Sequence, residues 1–460
     1  MDVTLSEIAA VTEGALHGGP ADGVATSFAF DSRELEPGAC FVALRGARDG
    51  HDFVVDAFAA GALVALVERI PADVRSGAWI VVPDPLAALA RLGAWARSRL
   101  AGATVVGITG SAGKTATKDL TAAALASSLA VHASVGSYNN EFGLPLTLLA
   151  APTGTEVVVA EMGARFAGNV ADLCAIARPD VGIVTHIGLA HAEHLGGRAG
   201  IATVKGELLE ALPAAGVAVV NADDLSTPEL VTRTRARVLR VGTAADADVR
   251  THDVTLDDEL RARFVLDTPW GSTPVQLAMR GTHQVQNAAM AAAAALSLNV
   301  DLADVATGLG RATTASWRMQ LHRTSGGLTV LNDAYNASPT SVAAALESFA
   351  QLETDGRRIF VFGEMLELGD DGAAEHGRVG ALASDLGIDV LVTVGPGTDA
   401  AADVARDRNV TVVRTADATT ALEAVRAAAR PGDVVLVKAS RAVGLEVLAE
   451  ALVAGEVVVS

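Results

Sequence analysis

Residues 109 to 119 read TGSAGKTATKD. Gly113, Lys114 and Thr115 form the end of a phosphate-binding loop, but the position where a Walker loop carries its first glycine is Ile108, and glycines stand at Gly107 and Gly110 instead. A strand ending at Thr109, a glycine turn and a helix beginning near Lys114 would aim several backbone N–H groups and the positive helix end at one point. A polyphosphate fits that point, with Lys114 on the β- and γ-phosphates and the Thr115 hydroxyl on Mg²⁺. The expected nucleotide-binding run is therefore Gly110, Ser111, Ala112, Gly113, Lys114, Thr115 and Ala116. A tight strand-to-helix turn with an exposed lysine is the plain alternative. The loop leaves open whether the γ-phosphate is hydrolysed, as in a switch or motor, or transferred to a substrate.

Other residue types along the chain carry potential chemistry. Glu161 closes the apolar run EVVVAE, and strand ends of this kind deliver side chains to the ligand edge of an α/β sheet. A solvated strand-terminal carboxylate would look the same. His186, His191, Glu193 and His194 could ligate a transition metal through three imidazoles and a carboxylate. The nucleotide loop argues instead for Mg²⁺, which takes oxygen ligands. Cys40 and Cys174 are too few and too distant for a disulfide framework or a zinc cluster, so redox chemistry is not expected.

These groups need elements to position them. A chain of 460 residues exceeds one hydrophobic core, and three domains are expected. Half the residues are apolar and 19% are charged, a globular composition. The formal charge of −19, with no Lys/Arg run, argues against a nucleic-acid partner but not against an anionic small substrate held by a few local cations. The N-terminus has no basic leader, and the longest apolar runs, such as AAMAAAAALSL at 288–298, fall short of the roughly 20 residues of a membrane span. A cytoplasmic monomer is expected.

Short apolar strands alternate with helical stretches in three groups, giving an α/β fold with three units: 1–98, 99–312 and 313–460. The first holds ACFVAL, ALVALVE and AWIVVPD, then the helical PLAALARLGAWARSRL. The second runs from TVVGITG through EVVVAE, DVGIVTHIG and GVAVVNADD, the pattern of a parallel sheet with helices on both faces. The third, Rossmann-like, holds LTVLNDAY, RRIFVFGE, DVLVTVG, VTVVRT and DVVLVKAS. A hinge is expected near residues 309–318.

TGSAGKT, then SYNNEFGLP, AEMGAR, THIGLAHAEHLG, IATVKGELLE, VVNADD, GTHQVQNAAMAAAAA, SWRMQLH, LNDAYNASPTS, FGEMLELGDDG and LVKASR resemble the Mur ligase family of peptidoglycan amide-bond synthetases. DAYNASPTS with FGEMLELG looks most like its D-alanyl-D-alanine-adding branch. The shifted glycine belongs to that family. A switch or motor would instead want a Walker B strand ending in Asp, where this chain has Glu161. The resemblance implies an ATP-dependent ligase in which a carboxylate is phosphorylated and an amine displaces the phosphate. Its implied partners are ATP, a UDP-N-acetylmuramoyl-tripeptide and D-alanyl-D-alanine.

The resemblance also implies residue roles. Lys114, Glu161, His191 and Lys205 form the catalytic group. Thr115, Glu161, His191 and Lys205 are the protein side of the Mg²⁺ sites, with Lys205 the candidate for a carbamate. Asn287, Arg318, Asp333, Tyr335 and Asn336 complete the ATP site, although Gln284 replaces a more usual Asn. Ser32, Arg33, Arg45 and Gly46 resemble the uridine-diphosphate pocket, and Asn139, Asn140 and Arg165 the path of the muramoyl peptide. His186 stands where relatives commonly have Asn, and Asn169 where many have Glu. Lys438 and Arg441 close the last core strand facing the cleft, toward dipeptide or phosphate.

Overall fold

The computed structural model describes residues 1–71, 77–188 and 195–455. Three main sheets follow one another along the chain. The first has five strands in the order Ala15–His17, Ala78–Val81, Val64–Val67, Cys40–Val42 and Phe28–Ala29, parallel except for its first member. Its inner strands are buried apart from the half-buried Val81, as expected where both faces are covered.

The helix Pro85–Arg99 leaves this unit. Asp84 starts it by accepting the amides of Leu86 and Ala87, with Pro85 at the first position. Its buried stripe of Leu89, Leu92 and Ala96 shares one core with Leu144, Leu148 and Leu173 of the next unit. Gly93 permits that approach, because a Cβ there would lie 2.8 Å from the Pro145 Cα. Arg97 adds a polar brace: its Nε donates to the Ala177 carbonyl at 2.8 Å and its Nη2 meets Asp180 at 3.2 Å.

The second sheet has nine strands. Seven run parallel in the order Val131–Ala133, Val157–Glu161, Thr104–Thr109, Val181–Val184, Val217–Asn221, Arg237–Gly242 and Val249–Leu256. Arg261–Thr268 and Gly271–Arg280 extend it antiparallel. The helices Lys114–Leu125 and His283–Ser297 cover one face. Every residue from Ala288 to Ala295 is fully buried, so small side chains serve close packing on all sides.

The third sheet has six strands in the order Gln320–Arg323, Thr329–Asn332, Val434–Lys438, Arg358–Gly363, Val390–Val394 and Thr411–Thr415, with only the first antiparallel. All five strands expected in this unit are present. Between the helix Leu302–Arg311 and Gln320 lies the segment where a hinge was expected, and there Trp317 and Met319 flank Arg318 with φ of 60° and 48°. Left-handed backbone at two non-glycine residues is strain of the kind held at functional sites. Among the described residues, no helix is long and apolar enough to cross a membrane.

Candidate active site

The glycine loop joins the central strand Thr104–Thr109 to the helix Lys114–Leu125. Two glycines make its shape possible. Gly110 has φ 147°, and a Cβ there would collide with the Thr185 hydroxyl at 2.0 Å; Gly113 has φ 83°, and its Cβ would stand 2.5 Å from the Asn287 Oδ1. The neighbouring strand end clamps the loop: the Ser111 amide donates to the His186 carbonyl at 2.7 Å, the Ser111 hydroxyl to Gly188 at 2.8 Å, and the Thr185 hydroxyl to Ala112 at 2.6 Å. Ala116 is buried in the first turn of the helix.

Lys114 begins that helix and folds its ammonium back onto the Gly110 carbonyl at 2.8 Å. Burial lowers its pKa, the Glu161 carboxylate opposes the shift and the Arg318 charge adds to it. Strand pairing sets Glu161 opposite Ile108, just before the loop. Glu161 is 1% exposed; its Oε1 accepts the Asn139 amide at 2.8 Å, while its Oε2 is buried with no hydrogen-bond partner among the described residues. Lys205, on the helix Gly197–Glu210, is 2% exposed and lies within electrostatic reach of Lys114 and Glu161. Its pKa falls to about 7, mainly through burial and then through repulsion from Lys114.

The third unit reaches into this site. Arg318 donates from Nη2 to the Thr115 hydroxyl at 3.1 Å and lies 3.9 Å over the Tyr335 ring, whose hydroxyl donates to Ser137 at 2.5 Å. Asn287 hydrogen-bonds Gln284 at 2.9 Å, so the residue replacing the usual Asn supports Asn287. Asp333 accepts the Met319 amide at 3.1 Å and the Lys438 ammonium at 2.5 Å; Lys438 also donates to the Asn336 carbonyl at 2.9 Å. Lys438 is thus buried and paired, not turned to an open cleft, because a strand-end ammonium with a carboxylate in reach is held by it. Arg441 is exposed, paired with Glu446 at 2.5 Å and stacked 4.5 Å over Trp317.

The residues assigned to the UDP pocket and peptide path lie on neighbouring loops. Asp31 accepts the Arg33 amide at 2.9 Å, which makes DSREL a side-chain-closed turn around Ser32, and the exposed Arg33 side chain pairs with the same carboxylate. Arg45 pairs with Glu68, and the Gly46 amide donates to the Arg48 carbonyl at 3.1 Å. Tyr138 ties this unit to the site: its hydroxyl donates to Glu34 at 2.9 Å and its ring packs on Phe30. Asn140 Oδ1 accepts the amides of Phe142 and Gly143 at 3.3 and 3.0 Å, just ahead of the helix Gly143–Ala150. Asn169 accepts the amides of Arg165 and Phe166, while Glu207 takes those of Gly168 and Ala171, filling the helix start with a carboxylate from another helix.

His191, Glu193 and His194 lie outside the described residues. His186 is held by Asp224 at 3.0 Å from its Nδ1. Among the described residues, no three His, Cys, Asp or Glu side chains gather as a metal cage. Mg²⁺ on a nucleotide asks less, one or two protein oxygens beside phosphate and water. The partnerless Glu161 Oε2 and the Thr115 hydroxyl fit that demand.

Two residues here escaped the sequence reading. Lys118, one helical turn after Lys114, is 3% exposed and donates to the carbonyls of Ser134 and Gly136 at 2.8 and 2.9 Å, anchoring the loop before Asn139. His283, kept neutral by burial that lowers its pKa to about 4, stands within electrostatic reach of Asp333 and Lys438. Its place at the start of the helix carrying Asn287 was the available signal.

A shifted glycine loop, a buried carboxylate and lysine beside it, and an arginine supplied by a following α/β unit are the architecture of ATP-dependent amide ligases, and the comparisons give the class. Residues 108–295 match the Mur ligase middle domain and residues 317–441 the Mur ligase, glutamate ligase domain. The chain belongs to the Mur ligase family. It is 42% identical to the UDP-N-acetylmuramoyl-tripeptide–D-alanyl-D-alanine ligase of Mycobacterium tuberculosis, with 99% of this chain and 98% of the relative covered. Its fold is similar to that of MurF from Acinetobacter baumannii, with 32% identity, a TM-score of 0.88 and 99% of both chains covered. MurF ligase of Thermotoga maritima, solved in complex with ADP, matches at 29% identity and a TM-score of 0.79 over 94% of this chain and 98% of that one.

Proposed function

We propose that this chain is the ATP-dependent ligase that joins D-alanyl-D-alanine to UDP-N-acetylmuramoyl-tripeptide in the cytoplasm, completing the pentapeptide precursor of peptidoglycan. The observation that carries the reading is full-length likeness to ligases of that name together with the gathering of Lys114, Thr115, Glu161, Lys205 and Arg318 around one glycine loop. The boundaries near 98 and 312 divide the substrate, ATP and acceptor units in this reading.

In the first step an oxygen of the tripeptide's terminal carboxylate attacks the γ-phosphorus and ADP leaves, forming an acyl phosphate. In the second the dipeptide's free amine attacks the acyl carbon, loses a proton and expels inorganic phosphate. Loop amides and Lys114 hold the polyphosphate, and Arg318, fixed over Tyr335, places a permanent charge beside the transferred group. Thr115, Glu161 and His191 are the side chains proposed to hold Mg²⁺, which when bound neutralises charge developing on the phosphates. Lys205, buried on the helix Gly197–Glu210, is the residue proposed to carry a carbamate that would act as an oxygen donor. Ser32, Arg33, Arg45 and Gly46 are proposed to take the uridine diphosphate, and Asn140 and Arg165 the peptide; Lys438 acts by holding Asp333 toward the nucleotide.

Tripeptide labelled with ¹⁸O in its terminal carboxylate tests the chemistry. The acyl-phosphate route carries one label into the released phosphate. Unlabelled phosphate in a reaction that forms pentapeptide would overturn it.

A further inference from the structure

Asn139 has a placement that a substrate-lining role does not explain. Its side chain is turned inward, with Nδ2 donating to the Glu161 Oε1 at 2.8 Å. Its backbone carbonyl accepts the Gly163 amide at 2.6 Å, and Gly163 packs so closely that a Cβ there would stand 2.9 Å from the Asn139 Oδ1. Asn139 is thus tied by its side chain to the last residue of the strand Val157–Glu161 and by its carbonyl to the turn after it. The loop before it is equally fixed, since Lys118 holds the carbonyls of Ser134 and Gly136, and the Ser134 hydroxyl accepts the Glu161 amide at 3.3 Å.

The consequence is an asymmetric carboxylate. Oε1 is occupied by a neutral donor, and Oε2 is buried without a partner among the described residues. A lysine or arginine in place of Asn139 would neutralise Glu161 and compete with a metal cation. An amide restricts the rotamer and leaves the negative charge whole, the arrangement that outer-shell partners give to metal-binding carboxylates. A buried carboxylate oxygen with no donor is costly unless a cation takes it.

We propose that Asn139 is a positioning residue that locks the Glu161 side chain and turns its free Oε2 toward the divalent cation of the metal–nucleotide complex. The inference rests on the reading of Glu161 as a metal carboxylate. The test uses the full-length protein with ADP, reads Mn²⁺ binding by electron paramagnetic resonance, and measures kcat and KM on the same samples. Glu161→Gln is the control: unchanged Mn²⁺ affinity in that variant overturns the metal reading itself. Where the control loses affinity, Asn139→Ala is expected to weaken Mn²⁺ binding on the order of 10- to 100-fold and to lower kcat. The KM for the UDP-linked tripeptide is expected to stay within about threefold. Parent-like Mn²⁺ affinity, or a loss confined to that KM, overturns the proposal and returns Asn139 to the peptide path. Should the alanine variant fail to fold, Asn139→Ser carries the same test, with the same split expected and parent-like Mn²⁺ affinity again contradicting it.

Discussion

A methyl group added at Gly113 has no free volume to enter. Its Cβ would stand 2.5 Å from the Asn287 Oδ1, and opening that contact to an ordinary 3.4 Å displaces the amide by about 0.9 Å. A shift of that size breaks the 2.9 Å bond from Asn287 to Gln284 and moves Asn287 off the nucleotide. The lost contact to the nucleotide, at about 1 kcal/mol, is roughly fivefold in the Kd for ATP, and the lost internal bond adds about 1 kcal/mol to the cost in fold stability. Alanine at φ 83° also costs about 1–2 kcal/mol of fold stability. Gly102→Ala separates the two effects, because Gly102 has φ 91° and nothing within 4 Å of its Cβ. Titration calorimetry with ATP and thermal melts of both variants are the assay. Both should lose stability, and only Gly113→Ala should lose ATP. ATP binding within twofold of the parent in Gly113→Ala would refute the reasoning that this loop and Asn287 form one nucleotide site.

Lys205→Ala is expected to leave almost no ligation activity and to regain part of it with added acetate, a small carboxylate able to stand where a carbamate would; normal turnover without acetate would remove Lys205 from the chemistry. Asp433, 2% exposed, gives a pH-dependent stability test. Burial alone would raise its pKa, but the Arg357 fork and the amides of Arg357 and Arg430 hold it below the usual carboxylate range. A carboxyl depressed in the folded state contributes stability that is present above its unfolded value of about 4 and lost as pH falls through the folded value. Asp433→Asn should therefore cost about 2 kcal/mol at pH 7 and much less near pH 3. Calorimetric melts across that range check it, and a pH-independent difference would contradict it.

The phosphate loop is legible in sequence because its backbone admits only glycine at Gly110 and Gly113 and because the apolar strand before it and the helix after it are local signals. The parallel strands are legible for a similar reason, since burial on both faces makes them continuous apolar runs. The strands 249–280 are not. They alternate buried side chains with exposed Arg, Asp, Thr and Gln, and that polarity hides them among loops. Pairings across long separations are equally hidden. Lys438 reads as a basic strand end, yet its partner Asp333 lies 105 residues away. The inward turn of Asn139 depends on how the loop 134–139 returns to Glu161, which no local pattern encodes.

The most direct measurement gives the purified protein ATP and UDP-N-acetylmuramoyl-tripeptide with a panel of acceptors: D-alanyl-D-alanine, D-alanine, D-glutamate and diaminopimelate, plus a parallel reaction with a folate and glutamate. Phosphate release and product mass are read together. The account predicts phosphate release matched one to one by a UDP-linked pentapeptide with D-alanyl-D-alanine, and little product with any other acceptor. Efficient ligation of a single amino acid, or of glutamate to the folate, with no pentapeptide formed would contradict it.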